Sequence, residues 1–278
     1  MTDVTERSEV ERILEDPAFA VPEADAVSPR PADRFRAGVS RFANGATHAE
    51  RRRRLEALLA QVDVDDLAAD AASRTTAMRP AGAEEVAARV PVACLAARLG
   101  FADPDAMPAP VAALAAYYPT GWPSAPADTA ATLLLAAARA DHEHTDDVRA
   151  GSDAGDGVGV GVGVDLDHDA ALRVQLLVQA HAATAGLIAA ALRLPAARDA
   201  DVPTSDLLAT VLRDAPPVRQ TRRIAPDGDA LVLHLDGPDH DSPHDPRTLA
   251  FGAGPRACPA GAHALAIASA VVDEVRAC

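Results

Sequence analysis

The sequence predicts a mainly α-helical fold with a small β component. The chain is rich in alanine, the best helix former, whereas aromatic residues, which favour strands, make up only 3% of it. Apolar residues recur at helical spacing in most segments, and the longest apolar stretch lies near the centre of the chain. Weak alternation of apolar and polar residues, typical of a strand, is confined to residues 223–235.

The predicted helices follow one another with short breaks. In residues 47–61, Thr47 is expected to cap the helix and Glu50 to be its capping-box partner. Residues 170–193 carry little charge, so this longest helix is predicted to be buried. The other predicted helices are 8–14, 63–77, 83–99, 129–139, 206–213 and 260–275, with a short helix or irregular segment in 107–126.

Three stretches are predicted to be loops. Prolines mark 21–31 and 238–246, and a low-complexity run of alternating glycine and valine marks a flexible loop at 151–164, with a short β-ribbon as the alternative. The Gly/Val run is either a domain boundary or an insertion. Because the helices on both sides are too apolar to stand alone, we expect a single domain over residues 1–278.

Charge and cysteine content restrict the function classes. A net charge of −15 makes a nucleic-acid partner unexpected. Three cysteines do not form a disulfide framework, which favours the reducing cytoplasm. We expect no apolar run to approach membrane-spanning length, and the charged N-terminus is unlike a signal peptide. The predicted protein is soluble and cytoplasmic, without a nucleic-acid or membrane partner.

The segment with the clearest chemistry is 251–258, where a glycine-rich turn delivers one cysteine to an apolar helix. Cys258 is expected at the N-cap and Pro259 at the first helical position, where a missing N–H costs nothing. The N–H groups and dipole of a helix start favour a thiolate over a thiol. Gly252 and Gly254 allow a tight turn and leave room for a flat group. A free cysteine that caps a core helix is the alternative.

The spacing of Phe251, Gly252, Gly254, Arg256 and Cys258 resembles the haem-ligand loop of the cytochrome P450 family. The resemblance implies that Cys258 is the thiolate ligand of the iron in haem b, and that the other four residues contact the cofactor. It also implies a P450-like helical fold, here truncated.

Further segments resemble the same family. His48 and Arg52 match a His–Arg pair, four residues apart on one helix face, that holds a haem propionate. Arg223 matches an arginine that, with Arg256, completes the propionate-binding set. An ordinary solvated basic face of the helix is the alternative for Arg52 and its neighbours.

The central helix departs from the family pattern. The acid–alcohol pair that relays protons in the family falls on Ala182 and Ala183, and two methyl groups cannot relay a proton. His181 and Thr184 flank the pair, but each lies about 100° round the helix from its neighbour. Only a π-bulge or a rotated helix would bring either of them over the cofactor.

Two other family features are missing. The glutamate of the Glu-x-x-Arg motif is replaced by Thr210, so Arg213 needs another acid, such as Asp206 or Asp214, or must be exposed. The early sheet of the family is not found before Ser8. The six histidines at 142, 144, 168, 234, 240 and 244 lie in acidic surroundings without convincing metal-ligand spacing.

The resemblance implies a haem-thiolate oxidoreductase of monooxygenase type, acting in small-molecule metabolism or biosynthesis with dioxygen or peroxide. Its substrate would be hydrophobic or carrier-bound, and a ferredoxin or flavoprotein reductase would supply electrons. The loss of polarity at Ala182 and Ala183 favours an atypical enzyme. The alternatives are a haem-dependent non-oxygenase that rearranges, dehydrates or cyclises its substrate, and a non-catalytic auxiliary protein for a partner enzyme.

Overall fold

The computed structural model describes residues 1–149, 168–236 and 249–277 and, within 141–149, the backbone alone. The described part is mainly α with one small sheet, so the predicted fold class is confirmed. The helices are α1 (Arg7–Glu15), α2 (Pro31–Gly38), α3 (Gly45–Leu59), α4 (Val64–Met78), α5 (Ala83–Arg98), α6 (Pro108–Tyr117), α7 (Ala125–Arg149), α8 (His168–Arg193), α9 (Thr204–Asp214) and α10 (Gly261–Arg276). The strands are β1 (Thr2–Val4), β2 (Gln220–Ile224) and β3 (Ala230–His234).

Most predicted helices are found within a few residues of their expected ends. Helix α2 was not predicted; it begins at Pro31, whose fixed φ suits the first helical position. The expected cap at Thr47 is wrong, because α3 begins two residues earlier, after Asn44. Glu50 binds Arg53 and Arg54 instead of closing a capping box. The loops predicted at 151–164 and 238–246 lie outside the described residues, and the single domain over 1–278 stays a prediction.

Helix α8 is the centre of the main core. It packs against α3, α5, α6, α9 and α10, and α10 in turn packs on α4. Its first half is almost wholly buried, as predicted. Helix α10 follows the cysteine loop, so this contact between α8 and α10 brings the end of the chain against the central helix.

Helix α8 is also long and apolar enough to cross a membrane by length and composition. An 18-residue window of it has a mean hydropathy of 1.4, and half of that window is buried inside the protein. The expectation that no segment would reach this length was therefore wrong. The core helix of a soluble protein passes the same test.

The sheet has the order β1-β3-β2, with β1 parallel and β2 antiparallel to β3. Strand β1 lies before Ser8 and pairs with β3, so the expectation that no early sheet precedes Ser8 was wrong. Arg223 pairs with Leu231, and its side chain is buried while that of the preceding Arg222 is exposed. This alternation is the ordinary consequence of a strand, whose successive side chains point to opposite faces.

Candidate functional site

The cysteine loop is closed by backbone hydrogen bonds. The Cys258 N–H donates to the Phe251 oxygen at 2.7 Å, and the Gly252 N–H donates to Leu249 at the same distance. Helix α10 begins at Gly261, with Ala260 in the N-cap position. Cys258 is therefore not the N-cap and Pro259 is not the first helical residue, because the chain makes one more turn before the helix starts.

The surroundings of the Cys258 thiol have opposing effects on its pKa. The residue is exposed to solvent, yet enough protein surrounds the sulfur for burial to raise its pKa. The backbone N–H of Ala260 and the charge of Arg52 act in the opposite direction and favour the thiolate. Cys94, by contrast, is a core residue in α5, and burial raises its pKa to about 12.

The two loop glycines have different reasons to be glycine. Both have positive φ, +68° at Gly252 and +64° at Gly254. A Cβ at Gly252 would meet nothing closer than 3.8 Å, whereas a Cβ at Gly254 would lie 2.6 Å from the Leu14 oxygen and 2.7 Å from the Glu15 Cα. The expected space for a flat group is therefore absent at Gly254, because the end of α1 occupies it. The Phe251 ring packs near Gly261.

Four of the predicted residues converge beside this loop. His48 and Arg52 come from α3, Arg223 from β2, and Arg256 from the loop itself. The positive charges of the three arginines all lower the pKa of His48. Arg52 reaches the cysteine loop directly, since its guanidinium donates to the Ala257 oxygen at 2.7 Å. The structure thus brings these four residues together beside the loop.

Arg223 is the most unusual member of this set. Its side chain is only 5% exposed, and its hydrogen bonds go to the Thr221 hydroxyl and the Arg222 carbonyl. Within the described residues, no carboxylate lies within salt-bridge distance of it. Burial, and then the charges of Arg256 and Arg41, lower its pKa to about 10. A buried cation without an acidic partner is costly, and an anion bound at this position would offset that cost.

Arg256 and Arg52 are held in place by carbonyl and amide oxygens. Arg256 donates to the Ala43 carbonyl at 2.8 Å and to the Asn44 side chain at 2.9 Å. Arg52 has one acidic neighbour, Glu56, at 2.5 Å. Burial and the charge of Arg41 lower the pKa of Arg256. The guanidinium groups are therefore held in position; the charge of Arg52 is shared with Glu56, whereas Arg256 has no acidic partner among the described residues.

His48 is neutral in this setting. Burial, followed by the charges of Arg256, Arg52 and Arg223, lowers its pKa to about 4, and Glu56 opposes that shift. A neutral imidazole can donate one hydrogen bond to a carboxylate without adding to the repulsion among the arginines. The alternative of a solvated basic helix face applies to Arg53 and Arg54, which pair with Glu50 on the surface. It does not apply to Arg52, because the Arg52 guanidinium contacts the cysteine loop.

The alanine pair of α8 lies where the helix is open to solvent. Ala182 is exposed and Ala183 partly so, although the first half of the same helix is buried. Thr184 is only 2% exposed, and the Nδ1 of His181 is buried without a partner among the described residues. The segment is α-helical throughout, so no π-turn brings His181 or Thr184 round to the face of the alanines.

The lost Glu-x-x-Arg partner is replaced by a neighbour. Arg213 makes a two-pronged ion pair with Asp214, at 2.7 and 3.0 Å, and both side chains are exposed. This is one of the two resolutions expected from the sequence. Among the described residues no group of three or more His, Cys, Asp or Glu side chains could hold a metal ion. His234 pairs with Asp3 across the sheet.

Two features of the site were not predicted. Arg41, in the 3-10 turn Ser40–Phe42, adds a fourth positive charge that acts on Arg223 and Arg256. Gln175 and Gln179 place two amides in the otherwise apolar α8 and bond to each other. The spacing of four residues is a local signal for the bond between the two glutamines, but the sequence holds no local signal for their link to Ser40.

Comparison with solved structures identifies the fold. The similar structures include substrate-free CYP109E1 from Bacillus megaterium, with a TM-score of 0.72, 16% identity, and coverage of 98% of this chain and 83% of that one. The histidine-tagged, open cytochrome P450 EryK from S. erythraea matches with a TM-score of 0.69 and 20% identity, over 99% of this chain and 82% of that one.

A third similar structure is P450BioI in complex with an acyl carrier protein ligated to hexadec-9Z-enoic acid. Its TM-score is 0.71 at 17% identity, and the match covers 98% of this chain and 83% of that chain. No known family pattern and no curated protein matches the sequence. The chain therefore has a cytochrome P450-like fold, as the resemblance implied, and at these identities the likeness establishes the fold alone.

The two loop glycines give a matched test of the packing between α1 and the cysteine loop. Gly252→Ala should lower the free energy of unfolding by about 1–2 kcal/mol, the cost of a left-handed conformation for a residue with a Cβ. Gly254→Ala carries the same strain and also a clash with backbone, so its loss should be larger by a further ~1–3 kcal/mol. Urea denaturation of both variants measures the difference; equal losses would contradict the close approach of α1.

Proposed function

We propose that this chain is a haem-thiolate enzyme of the cytochrome P450 type, with Cys258 as the ligand of the iron. The observation that carries the proposal is the buried Arg223, which has no acidic partner among the described residues, beside Arg256, Arg52 and His48. Haem b has two propionates, and charge-assisted hydrogen bonds to carboxylates are among the strongest that side chains make. The donor set therefore fits the cofactor that the fold implies.

Each residue has a distinct task in this proposal. Arg223 and Arg256 would bind propionate oxygens, His48 would donate one further hydrogen bond, and Arg52 would both bind and hold the loop through Ala257. The backbone N–H of Ala260 and the charge of Arg52 would stabilise the Cys258 thiolate. When bound, the haem would supply redox chemistry tuned by electron density from the thiolate.

The substrate in this proposal is a small hydrophobic or carrier-bound molecule. One structure with the same fold, P450BioI, is in complex with a fatty-acyl-ligated carrier protein, which supports the carrier-bound option. A ferredoxin or flavoprotein reductase would supply electrons if the chemistry is oxidative. The cytoplasmic location remains a prediction from the free cysteines, and no nucleic-acid or membrane partner is proposed.

A haem-dependent reaction without oxygen activation is the second candidate. It is favoured by one observation, the pair of methyl side chains at Ala182 and Ala183 on the open face of α8. These residues can exclude water and shape the space above the cofactor, but they can neither hold nor move a proton. Rearrangement, dehydration and cyclisation do not require that relay.

The first prediction concerns the ligand. Purified protein, reduced and treated with carbon monoxide, should show the red-shifted Soret band of a haem-thiolate complex, and Cys258→Ala should abolish it. Cys94→Ala is the matched control, because it removes a cysteine from the core of α5 and should leave the band in place. A band that survives Cys258→Ala would refute the assignment, and its absence from the wild type would favour a non-catalytic auxiliary protein.

The second prediction concerns Arg223. In the haem-free protein, Arg223→Met removes a buried charge that no described carboxylate pairs with, and it should raise the free energy of unfolding by about 1–4 kcal/mol. In the haem-loaded protein the same change should weaken haem retention roughly tenfold to a hundredfold, because a charge-assisted bond is lost. Arg222→Met, on the exposed side of the same strand, is the control and should alter neither. Unchanged haem retention in Arg223→Met would remove the propionate assignment.

The third prediction concerns oxygen chemistry. With dioxygen and surrogate electron-transfer proteins, electron consumption should be slow and should release mostly hydrogen peroxide, since Ala182 and Ala183 provide no proton donor. Comparing the electron donor consumed with the peroxide and product formed measures this coupling. Tight coupling to hydroxylated product would contradict the prediction, and Thr184→Ala and His181→Ala would then show which residue takes the place of the relay.

A further inference from the structure

Three polar side chains, those of Ser40, Gln175 and Gln179, are linked by hydrogen bonds that lead from the apolar core to the open face of α8. Ser40, in the turn before α3, donates its backbone N–H to the Oε1 of Gln175 at 2.9 Å, and their side chains also bond at 2.8 Å. The Nε2 of Gln175 donates to the Oε1 of Gln179 at 3.0 Å. Gln175 is 2% exposed and Ser40 6%, so two of the three members are buried.

The orientation of both amides follows from the backbone. An N–H group only donates, so the atom of Gln175 that faces the Ser40 N–H must be its oxygen. The nitrogen of Gln175 therefore faces Gln179, and the nearer atom of Gln179 must be an acceptor, its own oxygen. The hydrogen bonds therefore assign the oxygen and the nitrogen of both amide side chains, which are usually hard to tell apart.

The amide nitrogen of Gln179 is consequently turned away from Gln175 with two hydrogens to donate. No hydrogen bond from this nitrogen to another described residue is present. Gln179 is partly exposed, and it precedes Ala182 and Ala183 by three and four residues, which places all three on one side of the helix. The fixed donor thus lies one turn from the methyl groups that face the open side of α8.

We propose that Gln179 is a positioning residue that donates a hydrogen bond to an acceptor oxygen of the substrate, such as a carbonyl or ester oxygen. The inference deepens the proposed function and rests on it, because the substrate would lie over the cofactor beside Ala182 and Ala183. An amide does not titrate and its oxygen is already engaged, so Gln179 orients a ligand and does not deliver protons. The preferred substrate therefore carries an oxygen acceptor near its reacting part.

The test uses ligands that bind haem iron through an imidazole nitrogen. The parent probe is 4-phenylimidazole, and the acceptor-bearing probes are its three isomers with an acetyl group on the phenyl ring. Dissociation constants come from the spectral shift of the haem-loaded protein, independently of turnover. In Gln179→Leu, at least one acetyl isomer should bind roughly threefold to tenfold more weakly than in the wild type, while the parent binds equally.

Gln179→Glu gives a sharper version of the test at nearly constant shape. A carboxylate still accepts from Gln175, but it presents an oxygen to the ligand in place of the amide nitrogen. The acetyl isomer identified above should bind at least as weakly as in Gln179→Leu, and the matching hydroxyphenyl probe, which can donate, should bind more tightly. Gln61→Glu makes the same charge change at an exposed residue after α3 and should leave every affinity unchanged.

The outcomes separate the two proposals. Equal affinity of all three acetyl isomers for the wild type and Gln179→Leu would overturn the role of Gln179 and leave the haem site standing. A loss of the same size for 4-phenylimidazole would also overturn it, since the residue would then only shape the site. A wild-type protein that shows no spectral response to any probe would overturn the proposed haem site, and the substrate contact with it.

Discussion

The buried positive charge of Arg223 is the constraint on which the candidate site depends. The side chain is buried, and the charges of Arg256 and Arg41 act on it and repel it. Desolvating a cation without an acid lowers stability, and placing others beside it lowers stability further. Without a bound anion, this arrangement of charges does not stabilise the fold. The arrangement becomes favourable only when an anion arrives, which is why the cluster indicates a binding site more strongly than any single residue does.

The same cluster also holds the site together. Arg52 in α3 donates a hydrogen bond to the carbonyl of Ala257 in the cysteine loop. In the other direction, Arg256 of the loop donates to the Ala43 carbonyl and the Asn44 side chain, just before α3. Hydrogen bonds therefore join the two segments from both sides. The neutral oxygens that bind Arg256 satisfy its hydrogens without cancelling its charge, whereas Arg52 also pairs with the carboxylate of Glu56. The cations are thereby fixed in place before a ligand binds, which is the condition for strong electrostatic binding in a partly desolvated site.

The helices were predictable because apolar periodicity is local, whereas their ends depended on distant contacts. Asn44 precedes α3, but its side chain bonds Val21 and Arg256 and does not cap the helix, and no local pattern could have shown this. The set of His48, Arg52, Arg223 and Arg256 was predictable only through its likeness to a known family, because it comes from three segments that are far apart in the sequence and share no local signal. Arg41 and Gln179 were missed for the same reason: their roles come from neighbours in space.

The two sides of the candidate site have changed in different ways relative to the family pattern. On the side of the cysteine loop, Cys258, which is the proposed ligand, and the cationic groups are present and converge. On the side of α8, the groups that would move protons are replaced by methyls, and an uncharged amide is fixed one turn away. Binding needs shape and fixed donors, while proton delivery needs groups that titrate or rotate. A site with the first and without the second is suited to holding a substrate in one orientation over a redox cofactor, and its chemistry then depends on protons supplied by the substrate or on a reaction that needs none.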